Sequence, residues 1–215
     1  MDNRRRAIMG ISKGRLPSEY QEVEYLESTG EQWITTNIIL PIDAGIKTTF
    51  VLTKYSSISF ICGDGNFFFG YYKSESGLYY NRFKNSQNSD IYGIPSYPMT
   101  IGTLYNVELF VNNNDLIVNN NIVTTTETPF YAPAITDRTL YIFTLKWLSL
   151  DPTYRTIGKI YSLIIYKGEN IIHNFIPCYR KADNKAGMYD IVNDVFYTNA
   201  NTSASTDFIV GPDVN

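Results

Sequence analysis

The sequence predicts an all-β fold in which antiparallel strands form one sandwich. Three observations lead to this prediction. Short apolar and aromatic runs of strand length alternate with clusters of Asn, Gly, Asp and Pro, which form turns. The 18 Tyr and 12 Phe residues favour strands, because aromatic side chains fit a pleated, half-buried surface. No run has the i, i+3, i+4, i+7 spacing of a long amphipathic helix.

The predicted strands follow one another from residue 47 almost to the end of the chain. Each is rich in β-branched and aromatic residues. In order they are Lys47–Thr53, Ser59–Cys62, Phe67–Tyr72, Leu78–Phe83, Leu104–Val111, Leu116–Val118, Ile122–Val123, Gly158–Tyr166, Asn174–Lys181, Gly187–Asn193 and Val195–Asn199. Triple Asn clusters at 112–114 and 119–121 supply turn residues in the middle of the chain.

Several motifs at both ends of the chain carry a family resemblance. The opening motifs are Leu16-Pro-Ser-Glu-Tyr20, the segment 23–30 that ends in Gly30, and Gln32-Trp-Ile-Thr-Thr36; the closing motifs are the last four strands above. Together they resemble laminin-G-like (concanavalin A-like) jelly-roll modules in structural proteins of tailed phages, crAss-like phages among them. The resemblance implies an antiparallel jelly-roll sandwich over residues 16–215 and a virion structural role.

Residues 1–15 form a separate unit, for which we predict an anchoring role. This basic arm carries five basic side chains against Asp2, a net charge of +4, and leaves 13 basic and 20 acidic groups, a charge of −7, on the rest of the chain. The arm has no strand or helix periodicity, so we expect it to be extended and to be ordered by docking onto another virion protein. Folding back onto its own acidic body is the alternative. Its basic residues are Arg4, Arg5, Arg6, Lys13 and Arg15.

The composition limits the environment and the partners of the chain. A sandwich of 215 residues is commonly one domain, and 44% hydrophobic residues are enough to fill its core. Only 18% of residues are charged, which predicts a surface of Asn, Ser, Thr and Tyr that suits neutral partners. The apolar run at 7–11 is too short for a signal peptide, so secretion by the general pathway is not expected, and no run approaches a membrane span. Nucleic acid is not the expected partner, because no aromatic residue interleaves the three arginines.

No catalytic site is expected, so we predict that the chain is not an enzyme. Glu22 and Glu24 are alternate residues, so on one strand their side chains would lie on the same face. A retaining glycosidase needs two carboxylates about 5 Å apart, which this spacing can supply. Position 26, however, is Leu26 and breaks the alternation, which favours a solvated strand face. His173 is the only histidine, and only a tertiary accident would bring Cys62 or Cys178 to it.

No metal or other cofactor is predicted. Asp64 with its neighbouring Gly and Asn residues offers oxygen ligands that Ca²⁺ accepts, but a hairpin turn explains the same residues. The two cysteines do not form a disulfide framework or a Cys-x-x-Cys metal site. We expect both to be buried free thiols.

Carbohydrate is the expected small ligand, because aromatic platforms beside Asn or Asp hydrogen-bonding groups recognise sugars. The candidate contacts are loop residues, namely Tyr97, Tyr131, Trp147 and Asp151. Trp33 is expected in the core instead. So are Ile160, Leu163, Ile165, Phe175 and Ile176, with Tyr25 packed near them, because the opening and closing motifs are expected to form adjacent strands.

The function predicted from the sequence is therefore structural. We expect a capsid decoration, head-fibre or tail-fibre component, assembled in the host cytoplasm as a multi-copy or homo-oligomeric part of the virion. Its partners would be other virion proteins through the arm, and cell-surface or mucosal glycans through the sandwich. The alternative is a free bacterial carbohydrate-binding or glycan-processing protein.

Overall fold

A computed structural model describes residues 16–41, 44–56, 58–64, 67–72, 77–84, 90–93, 99–109, 115–125, 139–145 and 154–215. Its strands are β1 (Tyr20–Glu22), β2 (Leu26–Thr29), β3 (Ile34–Thr35), β4 (Ala44–Leu52), β5 (Ile58–Gly63), β6 (Phe67–Tyr72), β7 (Gly77–Lys84), β8 (Asp90–Gly93), β9 (Leu104–Leu109), β10 (Asp115–Val118), β11 (Asn121–Thr125), β12 (Tyr141–Ile142), β13 (Ile157–Lys167), β14 (Asn170–Arg180), β15 (Lys185–Asp190), β16 (Val195–Thr198) and β17 (Ile209–Val210). Within those ranges no helix is present that is long and apolar enough to cross a membrane.

These strands form two antiparallel sheets. The larger sheet has the order β11-β10-β9-β4-β13-β14-β15-β16. In the same sheet β1 pairs with β14, β2 pairs with β13, and β17 pairs with β2. The smaller sheet has the order β3-β12-β5-β6-β7-β8. One cluster of buried apolar side chains draws on both sheets, so the core lies between them. The predicted all-β antiparallel sandwich is confirmed.

Strand β13 lies at the centre of the larger sheet and shows how the sequence sets the core. Its apolar residues face the core at Ile160 and again at Leu163 and Ile165, all fully buried. The spacing of three between the first two is out of phase with a regular strand. A register shift between Ile160 and Ser162 against β4 inserts the extra residue, so the bulge returns the apolar residues to the inner face.

Most of the predicted core residues lie where the sequence placed them. Besides those of β13, Phe175 and Trp33 belong to the buried cluster between the sheets. Ile176 is also buried, but it lies outside that cluster because it follows Phe175 in an extended strand and points to the other face. The prediction for Tyr25 was wrong. Leu26 takes the inward position, so Tyr25 is only half-buried and its ring lies 5.3 Å from that of Tyr161.

The two ends of the described chain lie side by side in the larger sheet. β1 pairs with β14 and β2 pairs with β13, which confirms that the opening and closing motifs form adjacent strands. The C-terminal segment adds to this pairing through Ile209 opposite Glu27 and Asp213 opposite Val23.

Both cysteines are free and buried, as predicted. Burial raises the pKa of the Cys178 thiol to about 12. Burial, together with the nearby charge of Asp64, also raises the pKa of Cys62. Since the thiolate is the reactive form, we expect both thiols to react slowly with reagents.

Candidate functional site

The residues that the sequence singled out for binding lie outside the described part of the chain. These are the glycan contacts Tyr97, Tyr131, Trp147 and Asp151, and the arm residues Arg4, Arg5, Arg6, Lys13 and Arg15. Both hypotheses stay predictions. The described residues build another polar and aromatic surface, which sequence reasoning missed.

Three segments of the chain meet at this surface, which we call the Trp33 corner. It comprises residues 30–33 in the turn between β2 and β3, residues 154–155 just before β13, and residues 199–206 after β16. The Ala200 amide donates to the Trp33 carbonyl at 2.8 Å. The Asn201 side-chain amide donates to the Glu31 carbonyl at 2.7 Å. The turn and the later segment are therefore joined by direct hydrogen bonds.

Gln32 fixes the turn that carries the corner. Its buried Oε1 accepts from the Thr29 amide at 2.9 Å and from the Thr29 hydroxyl at 3.1 Å. Its Nε2 donates to the Thr206 carbonyl at 3.1 Å and to the Thr206 hydroxyl at 3.0 Å. Gly30 completes the turn with a φ of 100°, in the region that favours glycine. Because leaving buried polar groups without partners is costly, this network holds the two segments in one arrangement.

Arg155 lies over the indole ring of Trp33. The guanidinium carbon is 4.4 Å from the ring centroid, which is a cation–π contact worth about 0.5–2 kcal/mol depending on desolvation. Trp33 is only 8% exposed, so its ring supports the arginine and is not itself open to a ligand. This contact holds the guanidinium against the indole ring.

Most hydrogen-bonding capacity of Arg155 is unused within the described residues. A guanidinium has five N–H donors. Arg155 makes one long hydrogen bond, from Nη1 to the Gly30 carbonyl at 3.5 Å, and no ion pair with a described carboxylate. A planar fork with open donors is suited to carboxylate oxygens or paired hydroxyls.

Tyr154 places an aromatic ring next to this guanidinium in the chain. Its side chain is 42% exposed, and its φ of 63° lies in the left-handed region, where a bulky residue is strained by about 1–3 kcal/mol. Phe60 holds the strained backbone: its amide donates to the Tyr154 carbonyl at 3.1 Å, and the two rings meet edge-on at 5.6 Å. An exposed aromatic residue is thus held directly before Arg155 in the chain.

Glu31 adds a negative charge to the corner. Its Oε2 accepts two hydrogen bonds from Ser205, from the hydroxyl at 2.7 Å and from the amide at 2.9 Å. These bonds, and to a smaller extent the charge of Arg155, hold the pKa of Glu31 below its ordinary value. The carboxylate is therefore ionised at neutral pH.

The chemistry of the Trp33 corner is that of recognition. An exposed ring can stack on a sugar face, and open guanidinium donors can bind hydroxyl or carboxylate oxygens. The sequence held one signal for it, the dipeptide Tyr154-Arg155 shortly after the predicted contact Asp151. Its meeting with Trp33 is a tertiary contact that no local pattern encodes.

His173 belongs to a second polar group, the Asp190 cluster of Asp190, His173 and Asn193. His173 Nδ1 donates to Asp190 Oδ2 at 2.7 Å, and the Asn193 side chain donates to the same oxygen at 2.8 Å. Asp190 Oδ1 accepts from the amides of Asn174 at 3.0 Å and Val192 at 3.1 Å. The histidine is thus paired with the Asp190 carboxylate.

The carboxylate of Asp190 is fully buried and fully paired. Burial by itself raises its pKa, but the hydrogen bonds from His173, Asn174, Asn193 and Val192 outweigh burial, so the pKa lies below its usual value. Burial and the charge of Asp190 together raise the pKa of the neighbouring Tyr197. The cluster ties β14 to the turn between β15 and β16.

The other candidate chemistry has little support in the described residues. Glu22 ends β1, and Glu24 follows it beside the C-terminal segment, with its amide donating to the Pro212 carbonyl at 2.9 Å. Asp64 directly follows β5 and is buried, and the neighbouring candidate ligand residues Gly65 and Asn66 lie outside the described residues. In the part of the chain that is described, no three His, Cys, Asp or Glu side chains are grouped to hold a metal ion.

Comparisons with known proteins establish the fold. No protein-family model and no curated protein matches the chain. The CBM40 module of the Ruminococcus gnavus IT-sialidase, in a structure bound to α2,3 sialyllactose, is 12% identical, with a TM-score of 0.56 over 71% of this chain and 92% of that one. A candidate carbohydrate-binding protein from Bacteroides ovatus is 9% identical, with a TM-score of 0.60 over 90% of this chain, which spans 62% of that protein's length.

At such identities the likeness is one of fold. Both structures agree with the predicted jelly-roll-like sandwich. Neither is described as a virion protein, so the resemblance to phage modules stays a prediction.

Proposed function

We propose that this chain is a non-catalytic glycan-binding module that binds sugars at the Trp33 corner. The observation that carries the proposal is an Arg155 guanidinium that lies over the Trp33 ring and has open donors, directly after the exposed, strained Tyr154 in the chain. Strain held in place by surrounding contacts is found most often at binding and catalytic sites. Of the two readings of the sequence, the carbohydrate-binding protein is the better supported, because both structural neighbours are described in those terms.

The ligand class follows from the arginine. A glycan with a carboxylate group would receive two parallel hydrogen bonds from the planar guanidinium, the strongest arrangement that one side chain offers. The Ruminococcus gnavus module was solved with sialyllactose, a glycan of this chemical class. We therefore propose an acidic glycan whose carboxylate meets Arg155 and whose sugar ring lies on Tyr154.

The affinity of one site is expected to be low. One stacked sugar face and a few hydrogen bonds in competition with water each contribute about 1 kcal/mol. The dissociation constant would be roughly millimolar, or about −4 kcal/mol. Binding through many copies would raise the avidity without changing any one site.

The virion role predicted from the sequence is compatible with this proposal and independent of it. Display of the module on a capsid or fibre would supply the many copies. That role rests on the family resemblance and on the basic arm at 1–15, which lies outside the described residues. Its test is incorporation into particles: replacing Arg4, Arg5 and Arg6 by Ala should abolish incorporation and leave the melting temperature of the domain unchanged.

The glycan proposal is tested by a glycan array probed with a multivalent display of the domain. We expect enrichment on acidic glycans, and a loss of about tenfold or more in Arg155→Gln and in Tyr154→Ala, which corresponds to about 1.4 kcal/mol. Arg180→Gln is the matched control, because Arg180 is already paired with Asp183 and lies outside the Trp33 corner. No enrichment, or enrichment that survives both corner variants, would refute the proposal.

A further inference from the structure

The Trp33 corner holds two opposite charges that do not pair. Arg155 Nη1 lies 3.5 Å from the carbonyl of Gly30, the residue before Glu31, and the charge of the arginine helps to lower the pKa of the Glu31 carboxylate. A bidentate ion pair is the strongest hydrogen-bonding arrangement open to an arginine and a carboxylate. Within the described residues, however, no such ion pair forms.

Ser205 accounts for the missing ion pair. Its hydroxyl at 2.7 Å and its amide at 2.9 Å both donate to Glu31 Oε2. Ser205 is itself held in place by the next residue, Thr206. The carbonyl and the hydroxyl oxygen of Thr206 both accept a hydrogen bond from Gln32 Nε2. The backbone of Glu31 is fixed from the same segment by Asn201. The carboxylate is thus bound on the side of the 199–206 segment.

We propose that Ser205 is a positioning residue that determines ligand access to the corner: it holds the Glu31 carboxylate away from Arg155, so that the guanidinium stays open for the ligand. This inference rests on the proposed function of the corner. A Glu31 side chain released from Ser205 would compete with the ligand for the same donors. The apparent affinity would then fall in proportion to the fraction of molecules in which Arg155 is open.

The test is a double-mutant cycle with Ser205→Ala and Glu31→Ala, read by titration with α2,3 sialyllactose and with lactose as the uncharged probe. Ser205→Ala should weaken binding of sialyllactose by about threefold to tenfold, because Glu31 then pairs with Arg155 in part of the molecules. Glu31→Ala should bind sialyllactose more tightly than the original chain, because the competitor for the Arg155 donors is removed. In the Glu31→Ala background, Ser205→Ala should change nothing, because no competitor remains.

Two outcomes of this cycle would overturn the inference. If Ser205→Ala weakens binding equally in both backgrounds, the serine only supports the loop. If it weakens binding in neither, Glu31 does not compete. A thermal melt of each variant shows whether the domain is folded, so that loss of structure is not read as loss of access.

A second measurement needs no glycan and separates this inference from the proposed function. The pKa of Glu31 is followed by NMR of its side-chain carboxyl carbon in the original chain, Arg155→Gln, Ser205→Ala and the double variant. Arg155→Gln should change the pKa little when Ser205 is present and should raise it clearly when Ser205 is absent, because only then does Glu31 pair with Arg155. An equal effect in both backgrounds would refute the inference even if sialyllactose binds. If nothing binds sialyllactose and the titration shows the predicted dependence, the proposed function alone fails.

Discussion

The Trp33 corner and the Asp190 cluster use the same kinds of groups in opposite ways. In the cluster, the Asp190 carboxylate has no exposed side-chain surface and accepts four hydrogen bonds from neighbouring residues. In the corner, a half-buried cation lies over an aromatic ring and leaves most of its donors open among the described residues. A buried group whose hydrogen bonds are all made supports the fold. A fixed group whose hydrogen-bond donors remain open is available to a ligand.

This contrast decides which polar residues are functional candidates. From the sequence alone His173 is as conspicuous as any group, since it is the only histidine. The structure assigns it to the Asp190 cluster and hence to stability. Arg155 is one of 18 basic residues and attracts no notice in the sequence, yet its surroundings make it the stronger candidate.

The largest effect is expected from Asp190→Ala. This change would remove the buried carboxylate that accepts from the amides of Asn174 and Val192 and from the side chains of His173 and Asn193. We expect a loss of about 3 kcal/mol or more in the free energy of unfolding, measured with urea. Glu169→Ala, at an exposed position in the turn between β13 and β14, is the control and should cost much less. A small effect of Asp190→Ala would break the contrast between the two regions.

The pH dependence of stability sharpens the same comparison. The pKa of Asp190 in the folded state is lower than its ordinary value of about 3.9, so its contribution is present at neutral pH and is lost as the pH falls through the folded pKa. Asp190→Asn cannot titrate. The difference in unfolding free energy between the original chain and this variant should therefore be largest near neutral pH and shrink below about pH 4. A difference that stays constant on acidification would show that the charge of Asp190 is not what stabilises the cluster.

The sequence predicted the framework well because the framework follows local rules. Alternation placed Ile165 and Phe175 inside, and the aromatic and β-branched runs marked β13 and β14. The error at Tyr25 has a local cause as well, since two adjacent apolar residues compete for one inward position and Leu26 takes it. Alternation gives a period of two but does not say which phase is inward.

The candidate site could not be predicted in the same way because it depends on contacts between distant parts of the chain. Arg155 reaches a carbonyl 125 residues earlier in the sequence, and Ser205 reaches a carboxylate 174 residues earlier. Neither contact leaves a period or a motif. Tyrosines and tryptophans in predicted loops were the sequence's best indication of binding, but that indication did not point to the turn at 30–33.

A smaller effect on stability and a clear effect on binding are expected from Arg155→Lys. Lysine keeps the charge but lacks the planar fork of donors. Stability should fall by no more than about 1 kcal/mol, the usual worth of a cation–π contact near the surface. Binding of an acidic glycan should weaken by about tenfold in a titration, which is about 1.4 kcal/mol. Unchanged binding would mean that charge alone, without the geometry of the guanidinium, makes the site.

The smallest change in stability is expected from Tyr154→Gly, compared with Tyr154→Ala. Both variants lose the edge-on contact with Phe60, worth about 0.5–1.5 kcal/mol. Glycine adopts the left-handed φ of 63° without strain, which offsets that loss and should keep the unfolding free energy within about 1 kcal/mol of the original. Alanine keeps the strain and should be less stable than glycine by about 1 kcal/mol. Both should lose the stacking of the sugar ring and bind equally weakly, so the pair separates the backbone of Tyr154 from its side chain. If alanine is as stable as glycine in urea, the strained backbone is not a fixed part of the corner.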